Sequence, residues 1–223
     1  MSEANTGSGE LLRYSLFVLL AAASIFIMWF GMDAFDQYFK PQAEVLSIKS
    51  GSLLPQPRTL QPIHLLNPDA TPLTLDTLRG KWTLLAIGYT SCPDVCPTLM
   101  ATFKMMDKLF TQAGKQDAIN FLFISIDPER DSPKQVGNYV HYFNPRFLGA
   151  TGMQEQLHIL TGQLGLMYAR GKDQTSAMGY MVDHSASIVL LDPETRWTAI
   201  FSPPHDPQAL AEDVLAVMAR NSK

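Results

Sequence analysis

The sequence contains little of what several classes of protein require. Its 223 residues include only two cysteines, too few for a disulfide-rich scaffold or for a zinc site made of four thiolates. Positive charge is also scarce, since 17 Lys and Arg oppose 21 Asp and Glu and leave a net charge of −4. Nucleic-acid-binding proteins usually carry an excess of positive charge, so no nucleic acid is expected as a partner. A hydrophobic content of 46% excludes general disorder.

One stretch near the N-terminus is far more apolar than the rest of the chain. No Asp, Glu, Lys or Arg occurs between Arg13 and Asp33. About 20 helical residues cross the hydrocarbon core of a membrane, so this run is long enough to do so. We therefore predict a short tail at 1–13, a transmembrane anchor at 14–35 and a linker at 36–57.

Two properties of this segment bear on its processing and its orientation. A cleaved signal peptide would end in small residues, whereas this run ends in Trp29-Phe30-Gly31-Met32, which favours an uncleaved anchor. The acidic residues at positions 3 and 10, and the lack of an Arg-rich stretch, favour a bacterial inner-membrane protein over a mitochondrial transit peptide. The flanking positive charges are too few to decide which end faces the cytoplasm.

Residues 58–223 alternate between strand patterns and helix patterns. Two of the strand segments are continuously apolar, as in the buried strands of parallel sheets, and apolar residues recur at helical spacing after the first of them. The predicted strands cover 58–66, 81–89, 119–127, 187–192 and 198–201, and the predicted helices cover 98–113, 132–143, 153–164 and 207–220. This order predicts an α/β sandwich of the thioredoxin type.

Cys92 and Cys96 lie where the strand at 81–89 ends and a helix begins. Residues i and i+4 share one face of a helix at about 5–6 Å, close enough to form a disulfide or to bind one metal ion. Amides at the start of a helix lower the pKa of a thiol, and thiolates are soft ligands that favour copper(I). The spacing alone leaves a metal site, a redox-active pair and an inert pair of cysteines open as interpretations.

His184 comes just before the strand at 187–192, in the sequence Tyr-Met-Val-Asp-His. In a thioredoxin-like sheet the loop before that strand abuts the cysteine turn. A neutral imidazole there would complete a site with two sulfur donors and one nitrogen donor. A single histidine in a loop is more often an ordinary hydrogen-bonding partner, but this position favours a ligand.

Three segments share a pattern with a known family. They are Gly-Tyr-Thr-Ser-Cys-Pro-Asp-Val-Cys-Pro at 88–97, Ser-Ile-Asp-Pro-Glu-Arg-Asp at 125–131 and Val-Asp-His at 182–184. These segments resemble the SCO/SenC family of membrane-anchored copper proteins, which assist the assembly of the copper A centre of cytochrome c oxidase. The resemblance extends from about Leu60 to Phe201. It implies that copper(I), and also copper(II), is bound by Cys92, Cys96 and His184.

The resemblance implies a metallochaperone rather than an enzyme. The implied location is the bacterial inner membrane, crossed once, with the thioredoxin-like copper-binding domain at 58–223 in the periplasm. The implied partners are subunit II of cytochrome c oxidase and other periplasmic copper chaperones. Ser91 stands where many family members have His, which leaves the three expected ligands intact.

Two other functions use the same cysteines. The first is a thiol–disulfide reductase whose redox-active pair is Cys92 and Cys96, and the second is a redox or copper sensor that signals through a partner. His184 discriminates between a chaperone and a reductase, because a reductase has little need of it.

Several other residues are open to two interpretations. The segment 127–131 fits either a polar edge of the site or a charged surface turn, and Asp94 fits either a group that tunes the thiols or a helix cap. Core or loop packing is favoured over thioether ligation for Met100, Met178 and Met181. Four histidines show no partner spacing and are predicted at the surface or in loops: His64, His141, His158 and His205.

Overall fold

The computed structural model describes residues 18–32, 48–171 and 180–220 of the chain. The chain separates into two compact units, Met1–Leu46 and Ser47–Lys223. In the first unit the described residues form a helix, α1, at 18–32, and their side chains are exposed. Within α1 the hydroxyl of Ser24 donates a hydrogen bond of 2.8 Å to the carbonyl of Leu20.

The predicted tail, and parts of the predicted anchor and linker, lie outside the described residues. The anchor was predicted at 14–35, and α1 covers its central part. Within the ranges that the structure describes, no helix is both long enough and apolar enough to cross a membrane. The anchor therefore stays a prediction from the sequence.

A six-stranded mixed sheet forms the centre of the second unit. In chain order the strands are β1 Ser52–Arg58, β2 Leu65–Leu66, β3 Pro72–Leu73, β4 Trp82–Gly88, β5 Ile119–Ser125, β6 Leu148–Ala150, β7 Tyr168–Arg170, β8 Val182–His184, β9 Ile188–Leu191 and β10 Trp197–Phe201. The central sheet has the order β1-β10-β9-β4-β5-β6, while β2 with β3 and β7 with β8 form separate two-stranded sheets. Strand β4 is parallel to β5 and antiparallel to β9.

Each of the α-helices in the second unit buries apolar residues. They are α2 Leu75–Leu78, α3 Val95–Gln112, α4 Pro133–Phe143, α5 Gln154–Gln163 and α6 Pro207–Arg220, with a short 3-10 helix at Gln116–Ala118. The rings of Phe103 and Phe110 on α3 lie 5.2 Å and 6.1 Å from the ring of Phe121 on β5. All seven residues of β4 are buried. Since β4 and β5 are parallel, both end at the same edge of the sheet, where the cysteines and the segment 127–131 follow.

The sequence located the strands of the sheet centre and the helices that follow them, but misplaced the N-terminal edge strand. The predicted linker at 36–57 overlaps β1, and of the strand predicted at 58–66 only Arg58, the last residue of β1, and Leu65–Leu66 lie in strands. Pro55 and Pro57 indicated a linker, yet β1 lies at the edge of the sheet. Proline is tolerated in edge strands because one side of the strand needs no hydrogen-bond donors.

The start of α3 also differs from its prediction. The helix begins at Val95 rather than at 98, so Cys96 lies within its first turn.

Asp213 on α6 holds the first residues of the second unit in place, and its replacement should destabilise the fold. The Oδ2 atom of this buried carboxylate accepts hydrogen bonds of 2.9 Å and 2.7 Å from the amides of Lys49 and Ser50, and a third from the Ser50 hydroxyl. We expect Asp213→Ala to lower the free energy of unfolding by about 1–3 kcal/mol, because these donors lose their acceptor. Urea denaturation measures this loss. The exposed neighbour Glu212 gives the control, and an equal loss in Glu212→Ala would contradict the prediction.

Candidate metal centre

Cys92 and Cys96 meet where the turn after β4 enters α3. The amide of Cys96 donates to the Sγ atom of Cys92 at 3.5 Å, and both cysteines are free thiols. Cys92 is partly exposed, whereas Cys96 is only 1% exposed. One sulfur therefore faces solvent and the other lies against the protein interior.

Gly88, the last residue of β4, allows the sulfur of Cys96 to approach the sheet closely. A Cβ atom at this position would lie 2.5 Å from the Sγ atom of Cys96 and 2.7 Å from a ring carbon of Phe123. No side chain larger than hydrogen fits there without displacing one of these two groups. The glycine therefore fixes how deeply the second cysteine is buried.

His184 ends strand β8 and directs its Nε2 atom at the same sulfur. Its Nδ1 atom lies 3.1 Å from the carbonyl oxygen of Ser185, and its Nε2 atom lies 3.4 Å from the Sγ atom of Cys96. A carbonyl oxygen only accepts hydrogen bonds, which assigns the proton to Nδ1. The lone pair of Nε2 is then directed at the Cys96 thiol.

The structure thus brings together the three residues singled out from the sequence. One donor atom each from Cys92, Cys96 and His184 lies within 4.8 Å of the other two. Two sulfur donors and one imidazole nitrogen form a soft set, which suits copper(I) better than magnesium or calcium. Two thiolates in place of carboxylates and waters also exclude a typical magnesium site. The donor chemistry therefore fits the copper that the sequence implied.

The two cysteines differ in acidity as well as in exposure. Burial acts to raise the pKa of Cys92, but hydrogen bonds from the amides of Asp94, Cys96 and Val95 lower that pKa below its ordinary value overall. Burial raises the pKa of Cys96 far above its ordinary value, and the adjacent charges of Cys92 and Asp131 act in the same direction. Cys92 is therefore the more readily ionised thiol.

Burial also lowers the pKa of His184, although the Ser185 carbonyl and the charge of Asp183 partly oppose this shift. The imidazole is therefore more readily neutral than a free histidine, and only a neutral imidazole can donate a nitrogen lone pair to a metal.

Tyr89 and Thr90 connect the cysteine turn to its surroundings. The Tyr89 ring meets the His184 ring edge-on with centroids 5.9 Å apart, and its hydroxyl donates to the Sδ atom of Met181 at 3.7 Å. The amide and hydroxyl of Thr90 donate to the buried carboxylate of Asp131 at 2.7 Å and 2.6 Å. The turn that carries Cys92 is thus bonded to groups on both sides.

The site is accessible from solvent on the histidine side. His184 lines an open cavity of about 660 Å³, which is also lined by His158 and Met167. The cavity thus reaches the His184 side of the site, whereas neither cysteine is among the residues that line it.

The other residues considered from the sequence lie in varied places. Asp94 occupies the N-cap position of α3, but its side chain makes no capping hydrogen bond. Met100 is fully buried in the core, as predicted, and Met181 is 41% exposed beside Tyr89, while Met178 lies outside the described residues. Asp127 and Asp131 are 2% and 1% exposed, so a simple surface turn at 127–131 is the wrong interpretation.

The four further histidines divide into two groups. His64 and His141 are exposed, as predicted. His158 is also exposed and His205 lies in a loop, as predicted. His158 stacks on Tyr168 with ring centroids 5.0 Å apart, and the Nε2 atom of His205 lies 2.7 Å from the carbonyl oxygen of Ala186. These last two have partners that their spacing in the sequence did not reveal.

Three comparisons relate this chain to known proteins. The SCO1/SenC family model matches residues 52–219. The mitochondrial SCO1 homolog 1 of Arabidopsis thaliana is 30% identical over 208 residues, which cover 93% of this chain and 61% of that protein.

Two solved structures extend the comparison. Arabidopsis thaliana ScoI with copper bound matches with a TM-score of 0.67 and 32% identity, covering 72% of this chain and 98% of that one. Bradyrhizobium japonicum ScoI with copper bound matches with a TM-score of 0.61 and 30% identity, covering 70% and 98%. The predicted thioredoxin-like α/β fold is confirmed by these matches.

Replacing Gly88 should disturb the site through packing alone. We expect Gly88→Ala to lower the free energy of unfolding by about 1–3 kcal/mol, because the added methyl group must displace the Cys96 sulfur or the Phe123 ring. Urea denaturation measures the loss. Gly162 on α5 is the matched control, since a Cβ there meets nothing within 4 Å, and Gly162→Ala should be neutral or stabilising by up to about 1 kcal/mol.

The two thiols should react at different rates in the reduced, metal-free protein. We expect iodoacetamide to modify Cys92 at least about ten-fold faster than Cys96, because the exposed thiol ionises more readily. Because the pKa of Cys92 is lowered, its rate should reach half-maximum at a lower pH than that of free cysteine in the same buffer. Peptide mass spectrometry identifies the modified residue. Equal rates for the two cysteines would contradict this prediction, and Cys92→Ser gives the rate of Cys96 alone.

Proposed function

Because the chain belongs to the SCO1/SenC family, we propose that it is a copper metallochaperone whose ligands are Cys92, Cys96 and His184. The observation that carries the proposal is the group of three donor atoms within 4.8 Å of one another. Two structural relatives, the ScoI proteins of Arabidopsis thaliana and Bradyrhizobium japonicum, were solved with copper bound. Their resemblance in fold and sequence supports copper as the metal that this chain carries.

Copper(I) loading is a ligand-exchange reaction without electron transfer. The Cys92 thiolate is exposed and can take the metal first, since its pKa is already lowered. Cys96 then loses its proton to solvent and forms the second sulfur bond, while the Nε2 lone pair of His184 provides the third. The metal takes the place of the proton between Cys96 and His184.

Delivery would reverse these steps at the open side of the site. Thiolates of an acceptor approach the copper, and the three ligands of this chain leave one at a time. A metal with only three ligands has room for an incoming donor, so exchange needs no free copper ion in solution. The proposed acceptor is the copper A centre in subunit II of cytochrome c oxidase, with other periplasmic copper chaperones as further partners.

The proposed location follows from the sequence of the first unit. A helix at 14–35 would cross the bacterial inner membrane once, and a linker within 36–57 would connect it to the copper-binding domain in the periplasm. Oxidase subunit II lies at the same membrane. Confining both partners to one surface raises their effective concentration.

A thiol–disulfide reductase is the second candidate, and the unequal exposure of the cysteines favours it. An exposed Cys92 could attack a target disulfide, and the buried Cys96 could then resolve the mixed disulfide. In that reaction the two protein thiols are oxidised to a disulfide and the target disulfide is reduced to two thiols. His184 has no required role in these steps.

Copper stoichiometry in the reduced full-length protein, kept soluble with a mild detergent, tests the chaperone. We expect one copper(I) per chain in competition with a copper(I) chelator, and an affinity at least about 100-fold lower in His184→Ala, because this variant lacks a ligand. The exposed His141 gives the matched control, and His141→Ala should bind as the unmodified chain does.

The outcomes separate the two candidates. Equal copper binding by the unmodified chain and His184→Ala, or no binding by either, would reject the three-residue site. Disulfide exchange that survives in His184→Ala while copper binding is lost would show that the two reactions depend on different residues.

A further inference from the structure

The segment from Asp127 to Asp131 carries two carboxylates that are almost completely buried. Asp127 is 2% exposed and Asp131 is 1% exposed, and carboxylates are rarely so buried unless they have partners. The segment follows β5 at the edge of the sheet where the cysteine turn follows β4. Their partners lie on two different parts of the metal site.

Asp131 bonds to the cysteine side of the site. Its Oδ2 atom accepts from the amide of Thr90, and its Oδ1 atom accepts from the Thr90 hydroxyl. The Ser125 hydroxyl donates to the same carboxylate at 2.5 Å. Thr90 is two residues before Cys92, so Asp131 fixes the backbone from which the exposed sulfur extends.

Asp127 bonds to the histidine side of the site. The hydroxyl of Tyr180 donates to its Oδ1 atom at 2.6 Å, and the guanidinium of Arg130 pairs with its Oδ2 atom. Arg130 also lies over the Tyr180 ring, with 3.8 Å between the guanidinium carbon and the ring centroid. Tyr180 is therefore held both by its hydroxyl and by its ring.

Arg170 on β7 also contacts the ring of Tyr180. Its guanidinium carbon lies 4.2 Å from the centroid of the Tyr180 ring, and its side chain pairs with Glu129 at 2.8 Å. The segment 127–131 thus contacts Tyr180, two residues before β8, and Arg170 on the strand that pairs with β8.

His184 depends on such contacts because its strand does not belong to the central sheet. Strands β7 and β8 pair only with each other in the part of the chain that the structure describes, and Tyr168 lies opposite His184. No ladder of backbone hydrogen bonds from β4 or β5 fixes the position of β8. Three residues connect the end of β8 to β9 of the central sheet. Side-chain contacts at the start of β8 therefore act together with this connection in setting how far the imidazole lies from the two sulfurs.

We propose that Asp127 and Asp131 are positioning residues that hold the two halves of the donor set at the distance copper requires. Asp131 holds the cysteine turn through Thr90, and Asp127 holds β8 and His184 through Tyr180. This inference rests on the proposed copper site and adds the residues that assemble it.

Tyr180→Phe tests the histidine half of the proposal, because it keeps the ring and removes the hydroxyl. In the full-length chain we expect copper(I) affinity to fall about ten-fold, at the lower end of the usual effect of residues that orient metal ligands. In the copper(II) form we expect weaker imidazole nitrogen coupling by pulsed electron paramagnetic resonance. The rate of Cys92 alkylation in the metal-free protein should stay unchanged, because the cysteine turn is held separately.

Tyr168→Phe is the matched control on the same pair of strands. It also removes a tyrosine hydroxyl that makes a hydrogen bond, because the side-chain amide of Gln154 donates to the Tyr168 hydroxyl at 2.6 Å. The contact between Asp127 and Tyr180 is left in place. We expect copper affinity within about three-fold of the unmodified chain, well under the effect of residues that orient ligands.

Thr90→Val tests the cysteine half, because it keeps the shape of the side chain and removes its hydroxyl. We expect this variant to change the alkylation rate of Cys92 and to leave the nitrogen coupling of the copper(II) form unaltered. The proposal is supported if Tyr180→Phe weakens the nitrogen coupling and leaves the alkylation rate unchanged, while Thr90→Val changes the alkylation rate and leaves the nitrogen coupling unaltered.

Failure of this inference is distinguishable from failure of the copper site itself. If His184→Ala loses copper but Tyr180→Phe behaves as Tyr168→Phe does, the positioning role is wrong and the copper site stands. If Tyr180→Phe and Thr90→Val change both readouts equally, the segment supports the fold in general and the proposal is overturned. If His184→Ala binds copper like the unmodified chain, the site itself is wrong.

Discussion

The close packing of the Cys96 sulfur against Gly88 is the contact on which the rest of the site depends. It brings the first turn of α3 onto the end of β4, and this places Cys92 at the rim while Cys96 lies inside. The same burial makes Cys96 hard to ionise and keeps a proton between its sulfur and the imidazole. A metal bound there, as in the proposed copper site, would displace that proton.

The parts of the fold that the sequence predicted are those in which a single physical requirement dominates the residue pattern. The strands β4 and β5 are mostly apolar because nearly all of their residues are buried, and α6 begins and ends where the pattern indicated, at Pro207–Arg220. Strand β1 was missed because its prolines indicate a linker, and the sequence alone does not show that this segment lies at the edge of a sheet. Strands β7 and β8 have only three residues each, too few to show any alternation.

The three residues that form the candidate site could be predicted from the sequence, but the residues that contact them could not. Cys92 and Cys96 are the only cysteines in the chain, and His184 was found because it precedes β9. The burial of Asp127 and Asp131 could not be predicted, because a run of charged residues after a strand is the usual pattern of a solvated turn. Their role becomes visible only when Thr90 and Tyr180, 41 and 53 residues away in the chain, are seen to be their partners.

The separation of β7 and β8 from the central sheet has a mechanical consequence. The two sulfurs lie where β4 of the central sheet is followed by α3, whereas the imidazole is carried by a small pair of strands that shares no backbone ladder with that sheet in the described structure. If the imidazole left the proposed copper site, no hydrogen bond of the main sheet would have to break. In the proposed copper site, Cys92 and Cys96 would then hold the metal through their two sulfurs, and the position left by His184 would be available to a donor atom of the acceptor.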